Sequence, residues 1–64
     1  MLSNWELWAC ANHYVTTHGL DAAVVAAMRC DELLDAQDYE GARNYRAIID
    51  RINQLLDLPA APPH

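Results

Sequence analysis

Cys10 and His13 stand in the run Cys10-Ala11-Asn12-His13, with His18 and Cys30 further along the chain. On a helix, the C-x-x-H spacing turns both side chains to one face, an acceptable half of a zinc site. The other half is missing. His18 points about 140° away from His13 on the helical wheel, and Cys30 falls on the inward arc of a different helix. Surface and packed side chains account for the set, so neither a metal nor another cofactor is expected.

The same two cysteines come level if the first two helices form a hairpin about Gly19-Leu20. Cys10, however, sits at the edge of its helix's inward arc. Without an export signal, two reduced and partly buried thiols are the expectation, Cys10 the more peripheral. Nucleophilic chemistry would need Ser or Cys beside a His and an orienting acid. Cys10 and His13 have the spacing, but on a face where so short a chain is expected to form no cleft. No catalytic residue is assigned, and the sequence points away from an enzyme.

Acids gather at Asp31, Glu32, Asp35 and Asp38. A solvated face explains them, although the first three lie near a helix C-terminus, where they oppose the dipole. Arg43, Arg46 and Arg51 read as exposed partners for Glu40, Asp50 and nearby acids, pairs worth only tenths of a kcal/mol.

The elements that position these groups are helices. The cleanest signal runs over Tyr39–Leu58, where Tyr45, Ile48, Ile49, Ile52, Leu55 and Leu56 form one stripe at roughly 100° per residue. Arg43, Ala47, Asp50 and Gln54 fall opposite. Ser3-Asn4-Trp5-Glu6 has the form of a capping box and opens a helix over 4–18. Its inward face is Leu7, Trp8, Ala11, Tyr14 and Val15, with His18 in line and Trp5 off the stripe. Gly19 suits the position just past its end.

Asp21 is placed as the cap of a second helix over 22–36. Its expected buried arc is Leu20, Ala23, Ala27, Cys30 and Leu34, flanked by Val24 and Leu33. Val25 and Met28 are expected on the opposite arc among Arg29, Glu32 and Asp35. Gln37-Asp38 makes the next turn, Asp38 caps the third helix, and Leu58-Pro59 closes it. Gly41, in the first turn, is expected to cost about 1 kcal/mol relative to Ala. The fold class is all-α: a compact three-helix bundle over 1–58, with 59–64 a short Pro-rich tail.

Sixty-four residues make one domain near the lower limit for a single hydrophobic core. Nine acids against four arginines give −5, with no lysine. Such a chain lacks the basic patch that direct nucleic-acid binding needs, and its charge argues against anionic membranes. Its longest apolar run, Ala22–Met28, falls far short of the roughly 20 residues of a membrane span. No basic region precedes an apolar one at the N-terminus, so a cytoplasmic setting is expected.

Glu6, Leu7, Trp8 and Ala9, then His18 and Gly19, Arg29, Asp38 and Gly41, and finally Tyr45, Arg46, Ile48, Arg51 and Leu55 form a further pattern. Over Trp5–Leu55 it resembles a family of short uncharacterised alphaproteobacterial proteins, a domain of unknown function. That family more often has Trp where Tyr45 stands and Gly where Gln37 stands. The resemblance implies a small helical fold in a bacterial cytoplasm and supplies no activity.

Function is expected through protein contacts: a small accessory or regulatory module. The candidate surface is Trp5, Val25, Met28, Arg29 and Glu32, facing a protein partner or a second copy of the chain. The alternative is an acidic inhibitor, phage or mobile-element encoded, occupying a nucleic-acid-binding groove of a host protein.

Overall fold

The computed structural model describes residues 1–57, and the expected Pro-rich tail lies outside them. Three helices fill that span: α1 (Asn4–His18), α2 (Ala22–Asp35) and α3 (Tyr39–Leu55), with a short 3-10 turn at Gly19–Asp21. The all-α bundle expected from the sequence is what forms.

Local chemistry sets most of the boundaries. The Glu6 amide donates to Ser3 Oγ at 3.2 Å, while the Ser3 amide donates to the Glu6 carboxylate at 3.0 Å. This is the full capping box, and its bonds, the backbone one first, hold the Glu6 carboxyl below its ordinary range. At the other end, Gly19 turns to φ 58 and its amide donates to the Val15 carbonyl. Glycine takes that conformation without steric penalty.

Asp21 does not cap α2 as expected. The 3-10 turn already carries it in helical geometry (φ −86, ψ −2), and its side chain makes no cap bond. A capping side chain needs an extended backbone to fold back on the first turn.

α2 ends in a Schellman motif. The Gln37 amide donates to the Leu34 carbonyl and the Asp38 amide to the Leu33 carbonyl, with Gln37 left-handed at φ 61. The turn therefore keeps its left-handed residue although glycine does not occupy it. Asp38 then caps α3, its Oδ1 accepting from the Gly41 amide at 2.9 Å. Gly41 has a positive reason to be there. A Cβ at that position would sit 2.5 Å from Asp38 Oδ2, so glycine is what lets the cap close.

α3 stops at Leu55, three residues short of the expected Leu58, and Asp57 follows in a left-handed turn at φ 53. Its stripe stands: Ile48 and Ile52 are buried, Tyr45, Ile49 and Leu56 pack against them, and Leu55 lies at the exposed margin. Ala42 joins the buried set, and Ala47, expected on the outer face, packs against the core.

Against the isoleucines α1 sets Leu7 and Ala11, and α2 sets Ala22 and Ala26. Alanines at the crossings bring helix backbones close, so two isoleucines and a leucine fill most of the interior. Cys30 is also buried, with its thiol 3.5 Å from the Ala42 carbonyl oxygen.

The register of α2 departs from expectation. Leu20 and Val24, expected inside, are 78% and 62% exposed, and the inward line is Ala22, Ala26 and Cys30. Leu33 continues that line at half burial. The physical reason is charge. Asp31 shares a face with Leu20 and Val24, whereas no acid falls on the face of Ala22, Ala26, Cys30 and Leu33, and Arg29 at its edge is long enough to hold its charge in solvent.

Polar bonds tie the start of the chain to α3. Met1's ammonium meets Glu40 at 2.9 Å, and the Leu2 amide donates to Asn44 Oδ1 at 3.2 Å. Arg51 lies 5.6 Å from the centre of the Trp8 ring and donates to Asn4 Oδ1 at 2.8 Å.

Candidate functional site

Two surface features emerge from this frame. The first is an open depression of about 520 Å³ lined by Ala9, Cys10, His13, Tyr14, His18, Val25 and Tyr45. Sequence reasoning expected no cleft beside Cys10 and His13. One forms where the side chains of α1 meet Val25 of α2 and Tyr45 of α3.

Tyr14 is the hub of that wall. Its hydroxyl lies 3.0 Å from that of Tyr45, with the rings nearly perpendicular, and His18 packs on it at 5.9 Å between ring centres. His18, expected in line with the inward face, is instead exposed at the last turn of α1. Burial first, and the Tyr45 hydroxyl second, push the Tyr14 phenol up to about 12. It stays a neutral donor or acceptor near pH 7, with no use as a base.

Cys10 lines the depression half-buried, Cys30 is buried elsewhere, and both thiols are free. Among the described residues no three His, Cys, Asp or Glu side chains gather as metal ligands.

The second feature is the outward face of α2, which Leu20 of the preceding 3-10 turn extends. Leu20, Val24 and Met28 follow one another at i, i+4 and i+8, each 60% exposed or more. Asp31 and Asp35 extend the same face at i+11 and i+15, both exposed. The face is thus apolar in its first half and acidic in its second.

The five residues singled out from the sequence do not form one patch. Met28 belongs to the outward row. Val25, expected beside it, is half-buried and turned into the depression with Tyr14 and Tyr45. Arg29 and Glu32 pair with each other at 2.9 Å, and that hydrogen bond is the main reason the guanidinium holds its proton more firmly than usual. Trp5 is 77% exposed on the first turn of α1, on a different helix from the row. Leu20 and Val24 were the residues missed. Their signal was their spacing to Asp31, since a face that must hold an acid in water holds its neighbours there too.

No family model matches the chain, and no curated protein or solved structure matches it either. Among the described residues no helix is long and apolar enough to cross a membrane.

Proposed function

We propose that this chain is a small acidic protein-interaction module, accessory or regulatory in role, that holds its partner on the outward face of α2. The reading rests on the row Leu20, Val24 and Met28, exposed together where the 3-10 turn runs into α2. Burying an aliphatic side chain of this size is worth about 1.5–3 kcal/mol, and this interior is too small to recruit the row. A partner can. The reading takes the setting as a bacterial cytoplasm and assigns the chain no reaction, nucleic acid or membrane of its own.

The test is capture of a partner by the native chain, Val24→Asp and Trp5→Ala, each first shown to melt like native. Val24→Asp should release the partner and Trp5→Ala should keep it. Loss in both, or in neither, would remove α2 as the contact.

A second reading is favoured by the exposed acids Asp31, Glu32 and Asp35 crowding the end of α2. In it they imitate phosphates and fill a nucleic-acid-binding groove of a host protein, as a phage-encoded antagonist would. Salt separates the two. Groove occupation by charge collapses as ionic strength rises, whereas a contact seated on Leu20, Val24 and Met28 persists.

A further inference from the structure

Resting on the α2 reading, we infer that the partner is a basic amphipathic helix. Its apolar residues would cover Leu20, Val24 and Met28, and its lysines or arginines would meet Asp31 and Asp35.

The charges choose this occupant. Among the described residues, neither Asp31 nor Asp35 has an ion-pair partner, although Glu32 between them is paired to Arg29. Both acids lie in the last turns of α2, where the helix dipole is already negative, so their own helix gives them no support. No basic residue belongs to the row that runs from Leu20 to Asp35, and the chain as a whole carries −5. An apolar patch that passes without a break into uncompensated negative charge is complementary to a helix with the opposite sign beyond its apolar stripe.

A second copy of the chain fits less well. Paired side by side in the same direction, two copies set Asp31 against Asp31 and Asp35 against Asp35. Paired head to tail about Val24, they hold the Asp31 carboxylates about 21 Å apart along the axis, which removes the repulsion but supplies no counter-charge. Three apolar side chains also fall well short of the roughly 800 Å² per partner of a standard stable interface. A copy would therefore gain only the apolar contact, and a basic helix gains both.

The length of the face sets the size of the partner element. Leu20 to Asp35 spans about 22 Å, four turns of helix, so a segment of about 15 residues covers it.

The test uses the full chain and two synthetic helical peptides with the same apolar row. One carries lysines on the turns beyond that row, and the other has glutamines in their place. Fluorescence anisotropy should show the lysine peptide binding about tenfold more tightly or better. Asp31→Asn with Asp35→Asn should abolish that preference, while Asp50→Asn on the outer face of α3 should leave it. Val24→Asp should release both peptides.

Equal binding of the two peptides to the native chain would overturn the basic partner and leave the α2 reading standing. A lysine preference that survives Val24→Asp would show charge acting alone and overturn both. Failure of both peptides to bind also overturns the inference. In that case sedimentation equilibrium says whether a second copy occupies the face, by a mass of twice 7.2 kDa that returns to 7.2 kDa in Met28→Glu.

Discussion

The hydroxyls of Tyr14 and Tyr45 face each other at 3.0 Å, with ring planes at 84°, so that one hydrogen bond joins α1 to α3 at the wall of the depression. Tyr45→Phe keeps the ring contact and removes the bond, and should cost about 0.5–1.5 kcal/mol in denaturant melts. It should also lower the Tyr14 titration from about 12 towards its ordinary value of 10.0, without reaching it, because burial is the larger cause. The sign follows from the raised value. The neutral phenol favours the fold below pH 10, and that contribution fades as pH climbs through about 12. Phenolate absorbance followed against pH checks the shift, and a Tyr14 curve unmoved by Tyr45→Phe would deny the pair its role.

Ile52 and Asp50 lie on opposite sides of α3. Ile52→Ala opens a cavity at the centre of the interior and should cost about 2–5 kcal/mol. Asp50→Ala should cost less than about 0.5 kcal/mol, its exposed contacts to Arg51 and Gln54 being weak. Similar losses in the two chains would contradict the burial of Ile52.

Asp38 and Gly41 are coupled by space. Asp38→Ala should cost about 1 kcal/mol as a lost cap. In the native chain Gly41→Ala should change stability little, because the better helix residue displaces the capping carboxylate. In the Asp38→Ala background the same change should stabilise by up to about 1 kcal/mol, with nothing left to displace. A double-mutant cycle that comes out additive would argue against the coupling.

The two thiols differ in access. Cys10 should take up an alkylating reagent well before Cys30, which reacts at the pace of unfolding. Timed alkylation read by intact mass measures both rates. Equal rates would mean that α2 opens easily about Cys30.

What could be read from the sequence divides along physical lines. The Ser3–Glu6 and Asp38 caps were legible because a cap needs only residues three apart. The α3 stripe was legible because isoleucine against aspartate and arginine is a strong contrast. In α2 the contrast is weak: alanines lie all round, and whichever arc is chosen contains some. Placing Leu20 inside then turned the whole helix by about one residue, moving Val24 inward and Val25 outward. The charge-free line through Ala22, Ala26, Cys30 and Leu33 was the better guide, since burial excludes an unpaired acid more strictly than it demands a leucine. The depression could not be read from one helix at all. It exists because residues from α1, α2 and α3 meet at a single edge, and only the packed arrangement brings Tyr45 to Tyr14.

Trp8 and Trp5 are the two tryptophans of the chain, one held beside the Arg51 guanidinium and the other standing in solvent. That asymmetry makes the protein its own optical reporter. With Trp5→Phe, all remaining indole emission comes from the seam between α1 and α3, so its wavelength and quenching follow the docking of those two helices. With Trp8→Phe, the emission comes from the first turn of α1 alone and follows whatever settles on that exposed ring. One chain thus carries separate spectroscopic channels for its interior and its surface, and neither needs an added dye.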